Sequence, residues 1–320
     1  AKRRQHSAQP LSCSPLSLQL LAASLAMADE SDLSPAEKLK IASNFISSSP
    51  PGQAQKVVED VRTLIDKSVL TSSALNSCAL KVNISQFVAV RVPGTSYAVL
   101  LTPTGDLGNS CFLDPNAPQQ LVIDHLRQEC IETRPLEAAH KEHVGCEEKR
   151  KSVDRAMKRY TDEFISGAVV TTYGREVERR AQITCCVGRV NMNLGNFWSG
   201  LWRSEWKLVI EANGRSGRLE GRVHCDVHYF EDGNVQLHDK LKFDKSIDVQ
   251  PGDEGASFVS SVSEFEQALM ASMEDIYQTM SESVLNGLRR RLPITKVKFD
   301  WDNKASVHKL AADLQKQSVR

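Results

Sequence analysis

The sequence lacks most features that mark a membrane protein or a common enzyme. Its 320 residues hold no run of 18 or more apolar residues, so no transmembrane helix is expected. Neither standard glycine-rich phosphate loop occurs. The eight cysteines (13, 78, 111, 130, 146, 185, 186 and 225) form no C-x-x-C pair and no regular framework. That excludes a disulfide scaffold and the usual zinc spacings, and reads as reduced, mostly buried thiols in a cytosolic protein. There is no net charge, and 41 % hydrophobic with 25 % charged residues is ordinary for a globular chain. Residues 1–26 contain no acid and no methionine. A transit peptide has this basic, serine-rich composition. Sequence from an upstream reading frame, joined to a chain that starts at Met27, is the favoured reading, and the segment is set aside from the fold.

The longest regular pattern runs from Ser257 to Leu292. Phe258, Val262, Phe265, Leu269, Met273, Ile276, Met280, Val284 and Leu288 recur every three or four residues, one stripe of an α-helix that Pro293 ends. A helix of about 35 residues is about 50 Å long. It needs broad support. From Asn286 onward nine Lys or Arg stand against three Asp, so a basic tail follows an otherwise acidic body.

Ser34-Pro35-Ala36-Glu37 is a capping box with proline at the first helical position. Its helix carries Leu39, Ala42, Phe45 and Ile46 on one side. A second helix turns Val57, Val61, Leu64 and Ile65 inward, and a third spans about Ser72 to Lys81. Residues 34–82 thus read as a helical bundle or stalk. Residues 83–135 read as a small β module: strands Phe87–Val92 and Tyr97–Leu101 flank the Pro93-Gly94 turn, Gly105–Asn109 is another turn, and Leu121–Leu126 is a third strand. Residues 136–256 hold a charged helix from about Leu136 to Phe164, with Val153, Met157, Tyr160 and Phe164 inward, and then five strands. These are Ala168–Tyr173, Val177–Val190, Trp202–Ala212, Arg218–Phe230 and Asn234–Leu241, with tight-turn signals at Asn213-Gly214 and Asp232-Gly233. Trp202, Ser204, Trp206, Leu208 and Ile210 alternate with Arg203, Glu205 and Lys207. Leu219, Val223, Cys225, Val227 and Tyr229 alternate with Glu220, Arg222, His224, Asp226 and His228. The pattern predicts an antiparallel meander with one apolar face for the long helix to cover. Five strands are only about 24 Å wide. A 50 Å helix would overhang them, which predicts a dimer sharing one sheet of about ten strands.

Few residues suggest chemistry. His224, Asp226 and His228 share a strand face in a metal-like pattern, but polar residues must alternate there anyway and no further protein ligand of obvious spacing appears. Cys185 or Cys225 as a nucleophile would need a positioned base that the sequence does not indicate. At least two of Trp198, Trp202 and Trp206 are read as sheet packing rather than a base-stacking platform. Nothing supports an enzyme. The tail is more informative. Arg289, Arg290 and Arg291 close the long helix, where cations complement its dipole, and Lys296 and Lys298 follow. Residues 293–320 then place Trp301, Val307, Leu310, Ala311 and Leu314 on one side of a short helix with Lys304, Lys309 and Lys316 alongside. This amphipathic basic segment suits a membrane surface or a partner's groove, or folds back on its own domain.

Two stretches, Val227-His228-Tyr229-Phe230-Glu231-Asp232-Gly233-Asn234-Val235 and Leu288-Arg289-Arg290-Arg291-Leu292-Pro293, resemble the signature motifs of the F-actin-capping protein α subunit family. Asn196–Gly200 with Trp202–Lys207, and Gly105–Asn109, are similar to it as well, in the family's order and spacing from about Ser34 to the end. The resemblance implies an α+β fold: an N-terminal helical stalk, a small β globule, a five-stranded antiparallel meander under a long C-terminal helix (257–292), and a mobile amphipathic tail. It implies a sheet shared with a homologous-fold β subunit in a heterodimer. The implied activity is calcium-independent capping of the barbed ends of actin filaments, without catalysis or cofactor, in the cytoplasm and cytoskeleton. Actin contacts would fall on Arg289, Arg290, Lys296, Lys298, Trp301, Leu310 and Leu314. Phosphoinositides such as phosphatidylinositol bisphosphate would act at Arg290 and Lys296, and myotrophin-like and CARMIL-like proteins would be regulators. Lys296 stands where the family usually has arginine. Leu285, Asn286 and Gly287 also depart from its pattern, which lowers the expected strength of capping and lipid inhibition. The competing reading is a peripheral phosphoinositide or membrane adaptor using the same tail; a third, a metal-dependent enzyme, would rest on the His224 face.

Overall fold

The computed structural model describes residues 33–230 and 235–279. Residues 1–26, the Asp232-Gly233 turn, the helix positions Met280, Val284 and Leu288, and the whole basic tail lie outside the described residues. The chain divides after Phe258 into two units.

Three helices open the first unit: α1 (Pro35–Ser47), α2 (Ala54–Leu64) and α3 (Ser72–Gln86). The expected capping box is present, with the Ser34 side chain accepting from the Glu37 N–H and the Glu37 carboxylate accepting from the Ser34 N–H. Ala42, Ile46, Val58, Val61, Leu75 and Val82 form the core shared by these helices. Three residues expected to face inward do not. Phe45 is 62 % exposed, Leu64 81 % and Phe164 56 %. Each lies beside the buried stripe or in the last turn of its helix, where helical periodicity continues but no partner surface does. Phe164 covers the Tyr160 ring instead, with centroids 5.0 Å apart.

Six short strands follow. β1 (Ala89–Arg91) pairs with β2 (Ala98–Leu100), and β3 (Asp106–Gly108), β4 (Cys111–Asp114), β5 (Gln119–Asp124) and β6 (Glu129–Pro135) form a four-stranded sheet. Strands β4 and β6 were not expected, and the 105–109 turn contains β3. A 3-10 turn at Ala138–His143 replaces the start of the expected charged helix, which begins only at Glu147. This helix, α4 (Glu147–Phe164), packs on the large sheet through Val153, Met157 and Tyr160. Arg150 is also buried. Its Nε and Nη2 donate to Glu147 at 2.7 Å each, and its Nη1 donates to the Thr172 carbonyl at 3.2 Å.

The large sheet is a five-stranded antiparallel meander in consecutive order: β7 (Val169–Val177), β8 (Arg180–Asn193), β9 (Trp198–Ile210), β10 (Ser216–Tyr229) and β11 (Val235–Asp248). The expected alternation holds from Ser204 to Ile210, where the even-numbered residues are buried. It inverts at the start of β9, where Ser199 and Leu201 are buried instead. Cys185 and Cys186 point to opposite faces and are both fully buried, so the sheet is covered on both sides at β8. One side is the small β module: Phe87, Leu100, Leu113, Tyr173 and Cys186 form a shared cluster, and the Leu100 N–H donates to Thr171 Oγ1 at 2.9 Å. The cysteines are less buried than expected; of the seven described, three are buried and four half-buried, all free.

The last helix, α5 (Glu254–Thr279), starts three residues earlier than expected. Its first turn lies close on α4, where the Gly255 N–H donates to Ser152 Oγ at 3.1 Å and a Cβ on Gly255 would overlap the Ser152 carbonyl. Lys149 Nζ lies 3.6 Å from the Glu254 carboxylate. Phe258, Val262 and Leu269 of the expected stripe are buried, and so is Glu266. No described helix is long and apolar enough to cross a membrane.

Candidate interaction site

Arg289, Arg290, Lys296, Lys298, Trp301, Leu310 and Leu314 all lie outside the described residues, so the structure neither assembles nor separates them. It does bring together two of the stretches that sequence alone left apart. β9 and β10 pair so that Trp198 faces Tyr229, Ser199 faces His228 and Gly200 faces Val227. The Asn196–Gly200 stretch therefore lies directly against the first half of the 227–235 stretch. Phe197, in the left-handed region at φ 58°, accepts a hydrogen bond at its carbonyl from the Phe230 N–H at 2.9 Å. The two rings meet edge to face, 6.0 Å apart, and Phe230 lies 5.1 Å from the His228 ring.

This end of the sheet is apolar and open. Met192, Leu194, Phe197, Val227, Tyr229 and Leu237 are each between 36 % and 53 % exposed. Val227 and Tyr229 were expected on the covered face. They share that face with Leu219 and Val223, but the described residues do not cover it this far along the strands. By register Val227, Tyr229 and Leu237 share one face, with Met192 on the other. Exposed apolar side chains sharing a face mark a contact surface. Met192, Leu194, Phe197 and Leu237 were not singled out from sequence. The available signal was apolar residues at both ends of a hairpin turn, where polar ones are usual.

The polar face of β10 is divided among separate partners. Arg203 Nη2 donates to His224 Nδ1 at 2.8 Å, Asp226 pairs with His238 Nδ1 at 2.8 Å, and His228 stacks on Phe230. Among the described residues no three His, Cys, Asp or Glu side chains are grouped to hold a metal ion. Nor are the suggested thiols activated. Cys185 is fully buried, with the Thr172 hydroxyl donating to its sulfur at 3.5 Å, and burial raises the pKa of Cys225. Trp198, Trp202 and Trp206 lie along β9, and Trp206 is fully buried as expected. The Gly105–Asn109 stretch is a packing motif. A Cβ on Gly105 would overlap the Tyr173 ring, whose hydroxyl is within 3.2 Å of Thr102 Oγ1.

His224 has its pKa lowered to about 4, first by burial and then by the positive charges of Arg203, Lys240 and Arg222, against the opposing pull of Asp226. Its folded value lies below the ordinary 6.5, so the unfolded chain binds this proton first. The stability it contributes is complete above pH 6.5 and is lost as pH falls towards 4. We expect the melting temperature to fall across this window, and to fall less in His224→Gln. By NMR the His224 Cε1 proton should titrate near pH 4; titration near 6.5 would remove the burial argument.

The family model described as F-actin capping protein alpha subunit matches residues 42–313. The F-actin-capping protein subunit alpha of Caenorhabditis elegans is 32 % identical over 292 residues, covering 89 % of this chain and 100 % of the relative. That of Dictyostelium discoideum is 31 % identical over 283 residues, covering 88 % and 98 %. A solved structure, the homodimeric actin capping protein alpha subunit from Plasmodium berghei, superposes with a TM-score of 0.64 at 19 % identity, covering 75 % of this chain and 92 % of that one. The last likeness is one of fold. The motifs lie in register across β9 and β10, the family model spans most of the chain, and the relatives are matched over nearly their full length: this chain belongs to the F-actin capping protein alpha subunit family.

Proposed function

We propose that this chain is one subunit of a heterodimer that binds the barbed ends of actin filaments and blocks addition and loss of actin there, as a cytoskeletal protein without catalysis. The observation that carries this reading is the match of the alpha-subunit family over residues 42–313. The partner is a β subunit of like fold. The open apolar face of Val227, Tyr229 and Leu237 and the unpaired edge of β11 among the described residues support an interface at that side. Actin contacts are proposed at Arg289, Arg290, Lys296, Lys298, Trp301, Leu310 and Leu314, with phosphoinositide regulation through Arg290 and Lys296. The deciding experiment is barbed-end elongation with the chain co-expressed with its partner: elongation should stop at about one dimer per filament end. Continued growth at saturating dimer would overturn the proposal.

Assembly is testable by itself. Expressed alone, the chain should aggregate or fold poorly, and co-expression with a β subunit should give a soluble one-to-one complex. A monodisperse, cooperatively melting monomer would refute the shared interface. A stable homodimer, like that of the Plasmodium berghei alpha subunit, would keep the interface and remove the β subunit from it.

A further inference from the structure

We infer that the cavity between α3 and the β9–β10 face of the large sheet binds a phosphate monoester with a compact apolar body. This goes beyond the capping reading and uses none of the residues proposed for it. The cavity measures about 370 Å³. Three cations line it, Lys81, Arg203 and Arg222, against one carboxylate, Glu205. None of the three forms an ion pair among the described residues. His224, also in the lining, is neutral at pH 7, so an excess of two positive charges faces the space. A phosphate monoester carries nearly two negative charges at that pH, whereas a carboxylate would leave one cation uncompensated.

Of the three cations, Lys81 and Arg222 are exposed, and Arg203 is held in place. Arg203 Nε is buried without a hydrogen-bond partner among the described residues, a costly state for a charged donor. Its guanidinium cannot swing away to find one. Nη2 is held by His224 Nδ1, and the group lies 5.6 Å over the Phe87 ring. Phe87 is fixed in turn by the left-handed end of α3, at φ 52°. Gly188 faces Arg203 across β8 and β9, and a Cβ there would come within 3.1 Å of the Phe87 carbonyl oxygen. Glycine at that position lets Phe87 approach. Because His224 Nδ1 accepts from Arg203, the neutral ring carries its hydrogen on Nε2, a second donor. The rest of the lining is Ile84, Phe87 and Pro103 with Ser85, whose hydroxyl already donates to the Val82 carbonyl, and the space is larger than a phosphate alone would fill.

The test is calorimetric titration of the full chain in its assembled complex, at fixed ionic strength, with phenyl phosphate, inorganic phosphate and benzoate. Phenyl phosphate should bind saturably, once per chain, and about tenfold or more tighter than either of the others. Arg222 and Lys81 are both exposed, so Arg222→Ala and Lys81→Ala should fold normally. Each should weaken phenyl phosphate by about tenfold. Binding no tighter than that of benzoate, or affinity unchanged in both variants, would overturn the proposal. Capping measured on the same samples stays unaffected either way, which separates this site from the capping reading.

Discussion

Replacing Trp206 with alanine is expected to destabilise the fold by about 3–5 kcal/mol, a large part of a typical domain's total. Trp206 is fully buried at the centre of β9, paired with Cys185 on one side and Gly221 on the other. The Phe243 ring from β11 meets it edge to face at 5.8 Å, so the indole links three strands of the sheet. Gly221 exists for this ring: a Cβ at 221 would overlap the indole carbons. Gly221→Ala should therefore cost about 1–3 kcal/mol by forcing the ring from its rotamer. In the double variant the added methyl occupies space that the indole has vacated, so the combined loss should be smaller than the sum. Denaturant unfolding of the assembled complex measures all three. A strictly additive result would mean that Gly221 serves the backbone rather than the ring.

Trp206 also shows what could be read from sequence. A strand with a period of two and large side chains on one face declares itself, and β9 and β10 were legible for that reason. β4 is four residues long, and β6 (Glu129–Pro135) is almost wholly exposed. β4 buries the adjacent Phe112 and Leu113 on opposite faces and β6 has no apolar face, so neither shows alternation, and both exist because β5 pairs with them on either side. Phe45, Leu64 and Phe164 fail for the converse reason. Their spacing is helical, but burial depends on where the neighbouring surface ends. The change of buried face along β9 is likewise invisible in composition, since it reflects which layers lie over each end of the sheet. At the candidate site the individual motifs were legible and their meeting was not. The register that sets Trp198 against Tyr229 is fixed by the whole β9–β10 pairing. The Arg203, His224 and Phe87 arrangement joins residues more than a hundred positions apart and has no local signature.

Removing residues 300–320 is expected to shorten the lifetime of the cap by about a hundredfold while leaving its association rate nearly unchanged. The segment carries the apolar side chains Trp301, Leu310 and Leu314. Burying each against actin would contribute about 1.5–3 kcal/mol, and losing two of them at the lower figure already corresponds to about a hundredfold. Association of a free peptide costs about 4–15 kcal/mol before any surplus appears, so the tail by itself should bind weakly. Joined to a body already held at the filament end, it binds at a high effective concentration and acts as a second grip. Encounter should instead depend on the basic residues that remain, Arg289, Arg290, Lys296 and Lys298, which would steer the dimer to an acidic surface. The two contributions therefore separate kinetically. Truncation should raise the dissociation rate, whereas reversing Arg290 and Lys296 should slow association and flatten its dependence on salt. Dissociation from barbed ends, followed for the truncated and full-length dimers side by side, decides the first. Equal rates would mean that the tail does not grip actin, and a lowered melting temperature in the truncated dimer would mean that the segment belongs to the core.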